Sequence, residues 1–72
     1  MPEYEILAQN LKKIRKEMNE TQMDFAAHCG ISPDIISMIE NERTDPKIST
    51  IQKIAAYADQ TVSELLRKEE SD

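Results

Sequence analysis

Three side chains of types that often act in catalysis or metal binding are His28, Cys29 and Ser37. One His beside one Cys does not supply the tetrahedral ligand set of a zinc site, and the sequence holds no second cluster of such residues. A serine nucleophile needs a neighbouring base and a third group that orients that base, and neither accompanies Ser37. Because no acid–base pair, nucleophile or metal site can be assembled, we expect no enzymatic activity, no cofactor and no metal.

The simpler interpretation of these residues is structural. His28 is expected to be an exposed helix residue without a partner, and Cys29 a small buried thiol. A lone cysteine cannot form the internal disulfides that small secreted domains usually need. The first residues lack the layout of a secretory signal, and no apolar run approaches the about 20 residues that cross a bilayer. We therefore expect a cytoplasmic chain with neither a membrane nor a small-molecule substrate as partner; its initiating Met and polar tail are typical of a complete small protein.

The distribution of charge bears on what the chain can bind. Its formal net charge is −5, whereas proteins that hold DNA usually carry a basic surface. The acidic residues are concentrated at the two ends, and segment 11–20 holds four basic residues, namely Lys12, Lys13, Arg15 and Lys16. The three lysines form either a solvated face or a face partly directed at phosphates. The net charge therefore lowers the expected affinity for DNA without excluding DNA as a ligand.

The elements that must position such groups are helices, because apolar residues recur with helical spacing along almost the whole chain. The first helix is expected to bury one face, made of Ile6, Leu7, Leu11, Ile14 and Met18. Thr21 is a favoured N-cap for a short second helix, and Gly30 suits the turn that ends it. Ser32, followed by Pro33, is an N-cap with proline in the first turn of a third helix, which runs to about Asn41.

Two further helices are expected after the loop at Asp45-Pro46, since a residue before proline leaves the helical region. The fourth would turn inward Ile48, Ile51, Ile54, Ala55 and Ala58. Thr61 and Glu64 form a capping box for the last helix, which contains Val62, Leu65 and Leu66. The chain is thus predicted to be one all-α domain over residues 1–72, a compact bundle of about five short helices with a polar tail at 67–72.

Residues 22–41 have the signature of a helix-turn-helix, two short helices joined by a tight turn. Ala26 is small where the two helices must approach closely, and Gly30 turns the chain. Ile31 and Ile36 are placed to lock the second helix across the first. In this geometry the second helix offers its outer residues to the DNA major groove.

Residues 11–66 resemble the Cro/XRE-type helix-turn-helix family of phage and bacterial repressors. The residues that carry the resemblance are Leu11-Lys-Lys-Ile-Arg15, Thr21-Gln22, Phe25-Ala26, Gly30-Ile31-Ser32, Ile36-Ser37, Ile39-Glu40, Pro46 and Leu65. The resemblance implies a phage-repressor-like domain that binds double-stranded operator DNA, and we expect a transcriptional repressor acting as a homodimer on a two-fold site.

The resemblance also implies roles for single residues. Gln22 matches a family glutamine that contacts a phosphate at the start of the second helix. Arg15 and Glu40 match an ion pair that bridges the first and third helices. The positions that read base edges are Pro33, Asp34, Ser37 and Met38. The positions that touch the phosphate backbone after the third helix are Asn41, Arg43 and Thr44. For the dimer interface, our own candidates are Tyr57, Val62, Leu65 and Leu66.

Two residues depart from the family pattern. Glu42 and Asp59 each stand where the family often has glycine. Asp59 can tolerate a left-handed backbone conformation. A carboxylate at Glu42 would be repelled by phosphate, so either its side chain points away from DNA or the loop differs.

The base-reading positions are also unusual, because none is an Arg, Lys, Gln or Asn that makes bidentate base contacts. Asp34 can accept from a cytosine amine, Ser37 can bond several bases, and Met38 or Ile35 can pack on thymine methyls. Together with Met23, these apolar residues would also suit a contact surface for protein. The alternative function is therefore a protein-interaction module, antirepressor- or antitoxin-like, that uses the same face.

Overall fold

A computed structural model describes residues 3–68 of the chain, and they form five α-helices without a strand. The helices are α1 at Glu3–Glu17, α2 at Gln22–Cys29, α3 at Pro33–Glu40, α4 at Ile48–Ala58 and α5 at Val62–Leu65. The prediction of a compact all-α bundle of about five short helices is confirmed. Within residues 3–68 no helix combines the length and the apolar character needed to cross a membrane. Most of the predicted polar tail, residues 69–72, lies outside the described residues.

Side-chain caps mark the starts of α2, α3 and α5, as predicted. The Thr21 hydroxyl accepts from the backbone N–H three residues on at 3.0 Å, and the Ser32 hydroxyl from the N–H two residues on at 3.2 Å. At α5 the capping box is complete, because Thr61 Oγ1 accepts from the N–H of Glu64 and Glu64 Oε1 accepts from the N–H of Thr61. The bonds from Thr61 lower the pKa of the Glu64 carboxyl. Each cap satisfies a backbone donor that a helix start would otherwise leave unpaired.

The core draws on all five helices. Helix α3 packs against α1 and α2, α4 packs against α2, and α5 packs against α1 and α4. The largest fully buried side chains are Leu7, Leu11, Phe25, Ile36, Ile39, Ile54 and Leu65. Burying each of these side chains contributes roughly 2 kcal/mol. Since α3 supplies two of them, Ile36 and Ile39, the core fixes which side of α3 remains at the surface.

Three predicted positions differ in the structure. Met18 is 37% exposed and Ile48 is 61% exposed, although both were expected in the core. Helix α1 ends at Glu17, so Met18 lies in the following turn, and Ile48 is the first residue of α4, at the edge of the core. Leu65 is 0% exposed, so it belongs to the core of the monomer and is wrong as a dimer contact. Helical spacing marks an apolar face but does not show what covers that face.

Left-handed backbone conformations end two of the helices. Gly30 ends α2 at φ +78°, where its own N–H and that of Ile31 bond to the carbonyls of Ala27 and Ala26. Asp59 ends α4 at φ +57°, which confirms the expectation that it takes the left-handed conformation. These left-handed residues end the helix and turn the chain toward the next helix.

Candidate nucleic-acid interface

The outer side of α3 carries the residues predicted to read base edges. Pro33, Asp34 and Met38 are exposed there, and Ser37 is half-buried. Pro33 and Ser37 are four residues apart, as are Asp34 and Met38, so the four positions share one side of the helix. With 39% of Met38 exposed, this side offers a carboxylate, a hydroxyl and a thioether, and no cation.

Ser37 is joined to a residue that was predicted to contact phosphate. The Asn41 Nδ2 donates to the backbone oxygen of Ser37 at 2.8 Å and lies 3.3 Å from its hydroxyl oxygen. Because the hydroxyl accepts from Asn41, its own hydrogen remains free to be donated to an acceptor on a base. The amide nitrogen of Asn41 caps the end of α3, which is a local structural task that the sequence interpretation missed.

A buried polar group, which we call the Glu40 cluster, joins Arg15, Gln22 and Glu40 at the start of α2. Arg15 Nε lies 2.8 Å from Glu40 Oε2, and Arg15 Nη2 lies 3.1 Å from Glu40 Oε1. The side chains of Arg15 and Glu40 are 16% and 3% exposed. Bonding to Glu40 raises the pKa of the Arg15 guanidinium against the opposing effect of burial. The bidentate pair ties α1 to the end of α3.

Gln22 belongs to the same cluster, which sequence reasoning did not anticipate. Its Nε2 donates to Glu40 Oε1 at 3.0 Å, and the side chain is half-buried. Arg15 Nη1 also donates to the backbone oxygen of Glu20 at 2.9 Å, just before α2. The start of α2, where Gln22 is the first residue, is therefore held against the end of α3 by side chains from three segments.

The loop after α3 brings one cation and two carboxylates together. Glu42 has φ +60°, the left-handed conformation that favours glycine, and the N–H of Arg43 donates to the carbonyl of Met38 at 2.8 Å. Arg43 is exposed and Thr44 is half-buried. A shallow cleft of about 220 Å³ is lined by Tyr4, Glu42, Arg43, Thr44 and Asp45. The negative charges of Glu42 and Asp45 flank the positive charge of Arg43. They therefore weaken the attraction between Arg43 and a nearby phosphate.

Three of the predicted dimer contacts retain some exposed surface. Tyr57, Val62 and Leu66 are half-buried and pack against the core. The ring of Tyr57 meets Phe25 edge-on, with centroids 5.2 Å apart and an angle of 75° between the ring planes. Much of the Tyr57 side chain is therefore in contact with the rest of the monomer. Val62 in α5 and Leu66 just after it are the predicted apolar contacts that retain exposed surface.

A second polar group, the Glu20 cluster, joins Glu20 before α2, His28 in the last turn of α2 and Tyr57 in α4. Glu20 Oε1 lies 3.1 Å from His28 Nδ1, the Tyr57 hydroxyl donates to Glu20 Oε2, and the same hydroxyl lies 2.9 Å from His28 Nδ1. The bond to Glu20 and burial raise the pKa of Tyr57 to about 12. His28 is exposed as predicted, but the expectation that it has no partner was wrong.

Cys29 lies beside this cluster and is buried, which confirms the interpretation as a small buried thiol. Burial, together with the charge of Glu20, raises the pKa of its thiol to about 11. A thiol of that pKa is almost wholly protonated at neutral pH and is a poor nucleophile. Among the described residues, no three His, Cys, Asp or Glu side chains are grouped so that they could hold a metal ion.

The amino-acid sequence is similar to a known domain family and to named proteins. Residues 8–71 match the family model described as a helix-turn-helix domain. The chain is 32% identical over 63 residues to the immunity repressor protein of Bacillus phage phi105, covering 88% of this chain and 44% of that protein. It is 30% identical over 66 residues to the HTH-type transcriptional regulator SinR of Bacillus licheniformis, covering 90% of this chain and 60% of that protein. The chain therefore spans about half the length of the curated relatives it matches.

Two solved structures share the fold. The hypothetical transcription factor NHTF from Neisseria superposes with a TM-score of 0.87 at 27% sequence identity, covering 93% of this chain and 77% of that chain. The clp gene regulator ClgR from C. glutamicum superposes with a TM-score of 0.78 at 20% identity, covering 92% and 86%. At 20% identity the second likeness concerns the fold alone.

Proposed function

The chain belongs to the helix-turn-helix family of Cro/XRE-type regulators, and from this premise we propose that it binds double-stranded DNA sequence-specifically, as a homodimer, and represses transcription. The observation that carries the proposal is the exposed outer side of α3 beside the start of α2. Gln22 and Glu40 are in contact, so the first residue of α2 lies next to the last residue of α3. A duplex that receives α3 in its major groove brings a phosphate to the start of α2.

The contacts divide into two kinds under this proposal. The base edges are met by Pro33, Asp34, Ser37 and Met38. Phosphates are met by Gln22 and by the loop after α3, through Asn41, Arg43 and Thr44. With few cations on this surface, the binding energy depends more on base contacts and less on charge than in a basic repressor.

The dimer is proposed because one reading helix covers only a few base pairs, and symmetry is the usual way to gain affinity. Val62 and Leu66 are the proposed contacts, with a contribution from the exposed part of Tyr57. Equilibrium sedimentation at high protein concentration, with and without operator DNA, tests this part. A monomer under both conditions would contradict the dimer but leave DNA binding by a single copy intact.

Repression is supported by what a relative is called, since the phage phi105 protein is an immunity repressor. The relatives are named as regulators, and no catalytic role is proposed for this chain. This role locates the chain in the cytoplasm, where its DNA target lies. Repression would be measured with a reporter gene whose promoter overlaps the selected site: expression falls if the proposal is right, and a rise indicates an activator.

The first experiment selects bound sequences from random double-stranded DNA at about 50 and 200 mM salt. The expected result is an enriched palindrome whose half-sites are about one helical turn apart, with affinity that falls as salt rises. Binding without enrichment would indicate a non-specific DNA protein. No binding at the lower salt concentration would contradict the proposal.

A second candidate function is protein binding through the same face. The observation that favours it is the absence of a cation at the four base-reading positions, together with exposed Met23 and Met38, which are 69% and 39% exposed. An acidic and apolar face suits a protein partner better than a phosphate backbone. If DNA selection fails, substituting Met38 with Asp and measuring the loss of a captured partner tests this alternative.

A further inference from the structure

Among the residues whose side chains the structure describes, Glu40 is the one charged residue that is buried. Its carboxylate accepts from Arg15 Nε, Arg15 Nη2 and Gln22 Nε2, at 2.8, 3.1 and 3.0 Å. A bidentate bond from arginine already supplies the compensating charge for such a carboxylate. The carboxylate therefore does not need the bond from Gln22 to balance its charge. The main effect of this bond is to restrain the Gln22 side chain.

The bond fixes which end of the Gln22 amide faces Glu40. An ionised carboxylate only accepts hydrogen bonds, so it selects the amide nitrogen and turns the amide oxygen away. One N–H of Nε2 is used on Glu40, and the other remains available at the first residue of α2. An unanchored glutamine would sample both amide orientations, and one of them would present the oxygen to an incoming phosphate.

Arg15 keeps this arrangement compatible with an anion nearby. Its guanidinium neutralises the Glu40 carboxylate, and its Nη1 reaches the backbone oxygen of Glu20 at 2.9 Å. A phosphate that approaches Gln22 therefore meets an amide donor and the start of a helix, with the carboxylate behind them already paired.

We propose that Glu40 is a positioning residue for DNA binding: it holds the Gln22 amide so that its second N–H is directed at a phosphate. This inference rests on the proposed DNA-binding function. Its physical basis is preorganisation, because a side chain already held in its binding conformation loses less freedom when the ligand arrives. Glu40 thus acts on DNA through Gln22, in addition to bridging α1 and α3.

A double-mutant cycle tests the coupling. Affinity for the selected DNA is measured at low salt for the wild type, Gln22→Ala, Glu40→Gln and the double variant, with circular dichroism to confirm that each is folded. Gln22→Ala is expected to weaken binding roughly five-fold in the wild type and much less in the Glu40→Gln background. Equal factors in the two backgrounds would overturn the proposal.

The matched control is Glu20→Gln, which removes one negative charge at a side chain that does not contact Glu40 or Gln22. Arg15 bonds to the backbone oxygen of Glu20, which the substitution retains. Both glutamate variants change the long-range attraction to DNA alike. Glu20→Gln is therefore expected to bind DNA no worse than the wild type, whereas Glu40→Gln binds more weakly. If the wild type itself binds no DNA, the proposed function fails and this inference with it; additive effects in a chain that does bind overturn the inference alone.

A measurement on the wild type avoids the risk that Glu40→Gln does not fold. Nuclear magnetic resonance distinguishes the two Nε2 protons of each glutamine side chain, and the exposed Gln52 and Gln60 serve as references. One Gln22 proton is expected to exchange with solvent more slowly than its partner and than both reference side chains. Two Gln22 protons that exchange as fast as those of Gln52 would show that the amide is not held, and would overturn the proposal.

Discussion

The two polar clusters that involve α2 differ in how a carboxylate is compensated. In the Glu40 cluster, a carboxylate 3% exposed faces the full positive charge of Arg15. In the Glu20 cluster, a carboxylate 15% exposed faces a hydroxyl from Tyr57 and the exposed ring of His28. A buried charge that loses its partner is costly, whereas an accessible one is rescued by water. The Glu40 carboxylate therefore depends on its cation, whereas the Glu20 carboxylate tolerates the loss of a partner.

Removing the cation of the Glu40 cluster is expected to have the largest effect on stability. Arg15→Met leaves the Glu40 carboxylate buried without a compensating charge, which costs about 3–5 kcal/mol of unfolding free energy. The measurement is urea unfolding followed by circular dichroism. The counterpart in the Glu20 cluster, His28→Ala, is expected to cost no more than about 0.5 kcal/mol, because its ring is exposed.

The origin of the Arg15→Met loss can be separated from lost packing. In the double variant Arg15→Met, Glu40→Met, no charge is left buried, and much of the lost stability is expected to return. If the double variant is as unstable as Arg15→Met alone, the cost arises from something other than the orphaned carboxylate, and the contrast between the two clusters is weaker than the structure indicates.

The difference between the clusters also explains which features the sequence predicts. Thr61 with Glu64, and Ser32 with Pro33, act within three residues, so their chemistry is visible in a short window. The Arg15–Glu40 pair spans 25 residues and was inferred through the family resemblance alone. The Glu20 cluster joins residues 29 and 37 positions apart and leaves no local pattern.

Burial was predictable where a helix face is central and less so at its ends. Periodicity located Leu7, Leu11 and Ile54 in the core, and they are buried. It failed for Met18 and Ile48, because apolar spacing does not reveal whether a neighbouring helix covers that turn. Predicting that Leu65 has no surface to offer a second copy would have required that knowledge for α5.

On the face proposed to meet DNA, Arg43→Ala is expected to weaken binding to all sequences about equally and to reduce the slope of log affinity against log salt by about 1. Gln22→Ala should also weaken binding to all sequences alike, since both residues are proposed to meet phosphates and not bases. Met38→Ala is the comparison, because losing a base contact changes the preference among sites. These are measured on a panel of selected sequences at several salt concentrations. A change in preference for Arg43→Ala would show that it reads bases.

The Glu20 cluster is expected to make the stability of the protein depend on pH in the alkaline range. The pKa of Tyr57 is raised from 10.0 to about 12 in the folded protein. A raised folded pKa means that its contribution to stability is complete below pH 10 and is lost as pH rises to about 12. Tyr57→Phe keeps the contact with Phe25 and removes the titration, so its stability should fall less than that of the wild type across this window. Parallel urea midpoints between these pH values would contradict the predicted link.

The smallest effects are expected at two left-handed residues, Glu42 in the loop after α3 and Asp59 at the end of α4. Glu42→Gly and Asp59→Gly both remove a side chain at a residue with φ near +60°. Each substitution should stabilise the protein by roughly 0.5 kcal/mol. The relief of backbone strain in the folded state slightly exceeds the entropic cost of the added freedom in the unfolded chain. Glu42→Gly also removes a carboxylate beside Arg43, so it should raise affinity for DNA roughly three-fold at low salt. Asp59→Gly gives the same backbone relief at the end of α4, and equal gains in affinity for both variants would show that the charge of Glu42 does not act on DNA.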